Sequence, residues 1–389
     1  MKMSRAGSTW LSSADKPRRA DAKVIATVTS SRLTLARKRR ERTKKSLANA
    51  IGVTDRMISF YEAGTKAPSI ETLDKIAEVL NFPVEFFSGE ELEEPSLESA
   101  SFRALRSMTS GQRDAAYAAG TLAIYLSKWI EHEFILPEPD LPTLRGFESL
   151  ESAAQALRTE WRLGERPIGN MIDLLEAHGV RVFSLPTDSK KVDAFSVWQA
   201  QIPFVFVNTS KSGERIRFDC AHELAHLTLH RHGKASGRIA EYEADRFGSA
   251  FLMPRGSVLA NVPRNPSLHA VISKKRRWGV SASALSHRLH DVGLSSDWNY
   301  RSLCIELAQQ GWDKEPEPMP KESSQALSKV LATLRSEGVR VPGIARELDL
   351  PVDEVNSLMF GLAMVAMEGG RQGAAQKKKE LGRSLRLVE

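Results

Sequence analysis

The sequence predicts a mainly α-helical protein with one small α+β domain near its centre. Three observations lead to this fold class. Apolar residues recur at helical spacing through most of the 389 residues, three short β-branched and aromatic runs lie together between residues 180 and 207, and Pro-rich or acidic segments separate these regions. We therefore expect an N-terminal all-α unit, a central α+β unit with a short, mainly antiparallel sheet, and a C-terminal helical unit.

The composition is typical of a soluble globular protein. Hydrophobic residues make up 41% and charged residues 26% of the chain, and no apolar run approaches the roughly 18 residues that a membrane span needs. The first 22 residues contain no apolar core of a secretory signal, and Cys220 and Cys304 are too few for a disulfide framework. We expect two or three domains in a cytoplasmic protein without a membrane partner.

The positive charge of the chain is concentrated at its N-terminus. Residues 1–66 contain 16 Lys or Arg and 5 Asp or Glu, a net charge of +11, whereas the whole chain carries +7. The remaining residues therefore carry −4. Local positive charge is typical of a domain that binds nucleic acid, since neutralising phosphates releases counterions. A solvated basic arm is the alternative interpretation.

A helix-turn-helix pattern lies inside this basic region. Arg32–Arg42 reads as a basic first helix and Lys44–Ile51 as a second, which Gly52 ends in a left-handed conformation. Thr54 can cap a third helix, Asp55–Glu62, which would enter the major groove of DNA. Two further helical segments complete the predicted unit: Ser69–Leu80 and Pro83–Phe87.

These residues resemble the repressor-type helix-turn-helix family named after phage Cro, cI and Xre. The resemblance rests on Leu47-Ala48, Ile51-Gly52-Val53-Thr54, Ile58-Ser59 and Tyr61-Glu62-Ala63-Gly64. It implies an operator DNA as partner, a possible homodimer on a two-fold site, and DNA contacts from Lys44, Thr54, Asp55, Arg56 and Ser59. The family usually has Gln where this chain has Lys44, so this position would contact phosphate or guanine instead of adenine. A dimerisation or protein-binding role for the helices is the alternative.

The remaining segments predict the order of the domains. Before the metal motif we expect helices at 112–134, 150–163 and 168–177 and strands at 180–185, 194–199 and 204–207. Residues 276–290 and 344–362 have a weak helix-turn-helix spacing, for which a packed helical cap is the expectation and DNA contact the alternative. The predicted division is a flexible basic N-terminus (1–30), a helix-turn-helix domain (31–88), an acidic linker (89–100), a central domain (101–260), a helical C-terminal domain (261–370) and a disordered basic tail (371–389).

The central domain contains the metal motif His222-Glu223-Leu224-Ala225-His226. On a helix, His222 and His226 lie on one face, so both imidazoles can bind one ion. Glu223 between them can act as a general base for a hydrolytic water. Such a motif also arises by chance, roughly once or twice per hundred sequences with this histidine content.

The third ligand decides the class of site. Glu241 and Asp245 share a helix face at i, i+4, so Glu241 can bind zinc while Asp245 accepts a hydrogen bond from the outer nitrogen of His222. A three-histidine site would use His232, but that version needs Gly where this chain has Leu229. Two further residues also remain open as the ligand: His230 and Glu243.

The motif and its surroundings closely resemble the ImmA/IrrE family of zinc-dependent peptidases. The resemblance is carried by Glu214-Arg215-Ile216-Arg217-Phe218, the metal motif, and the run from Glu241 to Pro254. It implies a zincin-like α+β domain with His222, His226 and Glu241 as zinc ligands and Glu223 as catalytic base. Other divalent metals suit the same ligands.

The resemblance also implies a class of function. Relatives in this family cut Cro/cI-type repressors, so we expect a DNA-binding regulator with a peptidase domain that acts on a repressor or another partner protein. Two alternatives from other classes stay open. One is a transcription factor whose zinc domain is a sensor without catalysis, and the other is an antitoxin or phage-defence component that holds a protein partner.

Overall fold

The computed structural model describes residues 28–95, 109–185, 194–231, 237–311 and 315–362. Most of the predicted basic N-terminus, the end of the acidic linker, His232 and the tail at 371–389 lie outside these ranges. Within the described ranges, no helix is long and apolar enough to cross a membrane.

The N-terminal unit is all-helical, as predicted. Gly52 ends the second helix in the left-handed conformation (φ 77°), and the Thr54 hydroxyl caps the third helix by accepting a hydrogen bond from the Met57 amide. These local signals explain why the sequence predicted the end of the second helix and the start of the third correctly. The elements are α1 (Ser30–Arg39), α2 (Lys44–Ile51), α3 (Asp55–Glu62), α4 (Ile70–Leu80) and a 3₁₀-helix (Val84–Ser88).

The central unit combines helices with three strands. Its first helix is long because a capping box at Thr109 and Gln112 starts it and an Ala-rich stretch without Pro continues it. The elements are α5 (Ser110–Glu133), α6 (Leu150–Glu160), α7 (Met171–Ala177), β1 (Arg181–Leu185), β2 (Phe195–Gln199), β3 (Ile202–Asn208), α8 (Gly213–Leu229), α9 (Arg238–Leu252) and α10 (Arg255–Asn261).

The sheet is mixed, which corrects the expectation of a mainly antiparallel sheet. Strand β3 lies in the middle of the order β1-β3-β2; it pairs antiparallel with β2 and parallel with β1. The side chains of Phe204 to Val207 are all buried, and such a continuous apolar run is typical of a central strand covered on both faces. The sequence showed this run, but the order of the strands is a property of the tertiary fold.

The C-terminal region is helical. It consists of α11 (Leu268–Lys275), α12 (Ala282–Asp291), α13 (Asp297–Gln310), α14 (Gln325–Ser336), α15 (Val341–Glu347) and α16 (Val352–Leu358).

The two faces of the sheet belong to two different hydrophobic cores. Phe183, Phe195 and Phe206 face the first core, which also contains the N-terminal unit, α5 and the helices α14 to α16. Val182, Val205 and Val207 face the second core, which also contains residues of the helices α6 to α13. Successive residues of a strand point to opposite faces, so this alternation follows from the geometry of the sheet. The sheet therefore connects the N-terminal unit to the helices that carry the metal motif.

The segment at residues 344–362, which has helix-turn-helix spacing, packs against the N-terminal unit. Its second helix, α16, buries Glu354, Val355 and Leu358. Glu354 accepts hydrogen bonds from Arg39 Nε (2.6 Å) and Arg40 Nη1 (3.0 Å) of α1. These contacts are those expected of a packed helical cap.

An extended segment at residues 315–324 contacts the first turns of α8. The buried guanidinium of Arg217 pairs with the Glu322 carboxylate and donates to the carbonyls of Ile168 and Gly169. Lys275, with 1% of its side chain exposed, pairs with Glu214 of α8 at 3.0 Å. These buried ion pairs hold α8, and with it the metal motif, in place.

We expect Glu322→Ala to lower the free energy of unfolding by about 3–5 kcal/mol, because Arg217 would keep a buried charge without its carboxylate. Urea unfolding measures this loss. The matched control is Glu317→Ala, since the Arg276–Glu317 pair is exposed and is expected to contribute at most about 1 kcal/mol. Equal effects of the two substitutions would show that the buried pair does not hold the segment.

Candidate metal centre and nucleic-acid interface

Two helices carry the candidate metal ligands. His222 and His226 lie one turn apart on α8, and Glu241 lies in the first turn of α9. The close approach of these helices depends on Gly248 of α9, where an added Cβ would stand 3.2 Å from the His222 amide nitrogen. A glycine at this position therefore allows α9 to bring Glu241 against the histidines.

The donor atoms of these three residues converge. His222 Nε2 lies 3.1 Å from His226 Nε2 and 3.3 Å from Glu241 Oε2, while His226 Nε2 lies 3.8 Å from Glu241 Oε1. Tetrahedral zinc with bonds of about 2.0–2.1 Å separates neighbouring ligand atoms by about 3.3–3.4 Å. The observed separations thus fit one face of a zinc tetrahedron, and the mixed imidazole and carboxylate set is one that zinc accepts.

The outer nitrogens of the two imidazoles point away from the centre to different partners. His222 Nδ1 lies 2.9 Å from Asp245 Oδ1, which is the contact predicted for Asp245. His226 Nδ1 lies 2.9 Å from His230 Nδ1. A histidine that donates from its outer nitrogen presents a lone pair on the inner one, so these contacts favour metal binding through Nε2.

Two of the alternative ligands, His230 and Glu243, lie on the Nδ1 side of His226, whereas His222 and Glu241 lie on its Nε2 side. His230 Nε2 is 2.9 Å from Glu243 Oε2, so these two side chains contact each other. The three side chains whose donor atoms all lie within 4.8 Å of one another are His222, His226 and Glu241. His232, the remaining alternative, lies outside the described residues.

The charges around the centre favour a cation. Burial lowers the pKa of His222, but the hydrogen bonds to Asp245 and Glu241 outweigh burial and raise this pKa to about 10. Burial, together with the neighbouring His222 and His230, holds the pKa of His226 well below its usual value. The carboxylates therefore stabilise one positive charge among the imidazoles, the kind of field in which a divalent cation binds.

Glu223 lies in the motif but is almost fully buried, with 3% of the residue exposed. Its Oε2 accepts a hydrogen bond of 2.7 Å from the Ser196 hydroxyl of β2. Ser196 was missed by the sequence analysis because only the packing of the sheet on α8 brings it here. Cys220, close in sequence, is also buried, and burial raises the pKa of its thiol well above the ordinary value.

The predicted DNA-contacting residues form an exposed surface on α2 and α3. Thr54, Asp55 and Arg56 are exposed at the start of α3. Lys44 is exposed at the start of α2, and its Nζ lies 3.3 Å from the Ser59 hydroxyl. The structure therefore brings Lys44 into contact with the half-buried Ser59 and leaves Thr54, Asp55 and Arg56 exposed at the start of α3.

The arginines of α1 contact other residues of the protein and are therefore less accessible to DNA. Arg37 Nε donates to Glu62 Oε1 at 2.5 Å, and Arg32 is 4% exposed, with its guanidinium over the rings of Phe86 and Tyr125. Arg39 and Arg40 pair with Glu354. The basic surface of the described N-terminal unit is consequently narrower than its sequence suggested and is centred on α2 and α3.

Comparison with known families agrees with both parts of this architecture. Residues 33–87 match the helix-turn-helix family model, so this part of the chain is similar to that family. Residues 175–290 match a peptidase family model described as the IrrE N-terminal-like domain, so this part of the chain is similar to that family. This match spans β1 to α12 and includes the three converging ligands. No curated protein matches the chain significantly.

Proposed function

We propose that this protein is a cytoplasmic transcriptional regulator with an active zinc peptidase domain that cleaves a partner protein, a repressor. The observation that carries the proposal is the convergence of His222, His226 and Glu241 beside a buried carboxylate, Glu223, within the peptidase-family domain. The helix-turn-helix domain with its exposed α3 supports a role at DNA.

The donor set assigns a role to each residue. His222, His226 and Glu241 would hold a zinc ion, and Asp245 would orient His222. When bound, zinc polarises a peptide carbonyl and makes a water molecule more acidic. Glu223 accepts the proton of the attacking water at its carboxylate and passes it to the leaving amine. The Ser196 hydroxyl, which donates to Glu223 Oε2, holds that carboxylate in one orientation.

Regulated proteolysis fits the joined domains better than general digestion. The N-terminal unit shares its hydrophobic core with α5, the sheet and the C-terminal cap, so a DNA-bound protein carries the peptidase domain with it. A substrate at the same operator would therefore meet the peptidase at high effective concentration. A DNA-associated protein, such as a repressor, is therefore the favoured substrate.

The test is incubation of the zinc-loaded full-length protein with the repressors encoded near its gene, followed by mass spectrometry of the products. We expect cleavage by the wild type, loss of cleavage with a zinc chelator, and recovery on adding zinc. Glu223→Gln is expected to reduce cleavage about 10²–10⁴-fold, the usual contribution of a general base, while zinc and DNA binding persist. Cleavage at the wild-type rate by Glu223→Gln would refute the assigned role of Glu223.

A second candidate is a transcription factor whose metal domain is a sensor without catalysis. The burial of Glu223 and its hydrogen bond to Ser196 favour this candidate, since a carboxylate held in this way can also serve a structural role. The two functions differ in the same experiment. A sensor would change its DNA affinity with zinc and leave every repressor intact, in both the wild type and Glu223→Gln.

The proposed DNA surface predicts a change in salt dependence. We expect Arg56→Ala and Lys44→Ala each to weaken binding to a random-sequence duplex and to reduce the slope of log affinity against log salt by about 1, because each removes one phosphate contact. Fluorescence anisotropy at several salt concentrations measures this slope. Lys329→Ala, an exposed lysine on α14, is the matched control, and an unchanged slope in both test variants would contradict the proposed surface.

A further inference from the structure

We propose that His230 and Glu243 form a positioning relay that fixes the tautomer and orientation of His226. This inference rests on the zinc site of the proposed function and adds two residues to it. The relay runs from His226 Nδ1 to His230 Nδ1 (2.9 Å) and from His230 Nε2 to Glu243 Oε2 (2.9 Å).

With both imidazoles neutral and Glu243 ionised, hydrogen-bond chemistry gives one arrangement of protons along this relay. Glu243 is a carboxylate acceptor, so His230 donates to it from Nε2. A neutral His230 then has a lone pair on Nδ1, which accepts the Nδ1 proton of His226. His226 is thereby left with a lone pair on Nε2, the atom that faces His222 Nε2 and Glu241.

The two proposed histidine ligands are therefore supported in different ways. His222 contacts a carboxylate directly, through Asp245, whereas His226 reaches its carboxylate through a second imidazole. His230 stands directly after the last residue of α8, and Glu243 lies on α9 between Glu241 and Asp245. Helix α9 consequently supplies a ligand, Glu241, and the carboxylate at the end of each histidine's hydrogen-bond chain from one short segment.

Burial supports a positioning role over an accidental surface contact. The side chain of His230 is 9% exposed and that of His226 is 8% exposed, so water competes little for the bond between them. The rings of His226 and His230 lie with their centroids 5.0 Å apart. Losing this bond would leave the buried Nδ1 of His226 without its acceptor and its ring free to rotate.

The experiment measures zinc affinity of the full-length protein by competition with a chromophoric chelator. We expect His230→Leu to lower the affinity about 10–100-fold, the usual effect of removing an outer partner of a metal ligand. His230→Asn is expected to recover most of it, because the Asn amide oxygen can stand near the former Nδ1 and accept from His226. Glu243→Leu should weaken binding, and Glu243→Gln, which keeps an acceptor, should bind within a few-fold of the wild type.

Controls separate the relay from a general loss of structure. His269→Asn changes an exposed histidine on α11 and should leave the affinity unchanged. The absorption spectrum of the Co²⁺-substituted protein should differ from wild type in His230→Leu and return in His230→Asn, which a loss of packing alone would not produce. If the wild type binds zinc and His230→Leu binds it equally well, the relay is wrong. If the wild type binds no zinc, the proposed metal site itself fails, and the relay with it.

Discussion

Replacing Glu241 with alanine is expected to lower the zinc affinity about seventyfold to a thousandfold. A structural zinc site contributes about 10–16 kcal/mol through four ligands, or about 2.5–4 kcal/mol for each ligand. Glu241 Oε2 stands 3.3 Å from His222 Nε2 and the residue is 6% exposed, so its carboxylate is already placed beside the histidines. Isothermal titration or chelator competition at fixed pH measures the loss.

The neighbouring carboxylate Asp245 provides a graded comparison. Asp245→Ala removes only the partner of His222 Nδ1, so we expect an intermediate loss of about 10–100-fold. Glu337→Ala, an exposed carboxylate just after α14, serves as the control without effect. The order of losses should be Glu241, then Asp245, then Glu337. An equal loss for Glu241 and Asp245 would mean that Glu241 is not a direct ligand.

The parts of the fold that could be predicted from sequence are those with local causes. Gly52 and Thr54 mark the end of one helix and the start of the next by their own backbone and side-chain chemistry, and both do so in the structure. The helical repeat likewise places His222 and His226 on one face of α8, and Glu241 and Asp245 on one face of α9. The position of α9 along α8, which brings Glu241 to the histidines, has no such local signal.

The parts that could not be predicted depend on contacts distant in sequence. The internal pairing of Arg39 and Arg40 had no sequence signal because their partner, Glu354, lies more than 300 residues away. Ser196 reaches Glu223 only because β2 packs on α8. Likewise, the parallel pairing of β1 with β3 has no local signal, since hydrogen-bond partners in a sheet are set by the order of the strands.

The same distant contact leads to the second large prediction, which concerns Glu354. Its side chain is 1% exposed and pairs with both Arg39 and Arg40, so Glu354→Ala is expected to cost about 3–5 kcal/mol by leaving their charges without a buried counterion. Helix α16 also contacts the sheet, because the Ser184 hydroxyl of β1 donates to the Ser357 carbonyl. The substitution thus weakens the link between the N-terminal unit and the central domain.

Two spectroscopic probes can show this uncoupling in urea. The described N-terminal unit, residues 28–95, has no tryptophan, so tryptophan fluorescence reports mainly on the other domains, whereas far-UV circular dichroism reports on all helices. We expect the two transitions to coincide in the wild type and to separate in Glu354→Ala, with helix lost at lower urea than fluorescence changes. Asp353→Ala, an exposed neighbour on α16, should behave like the wild type. Coincident transitions in Glu354→Ala would contradict a role for this ion pair in joining the N-terminal unit to the central domain, since the two units would then still unfold together without it.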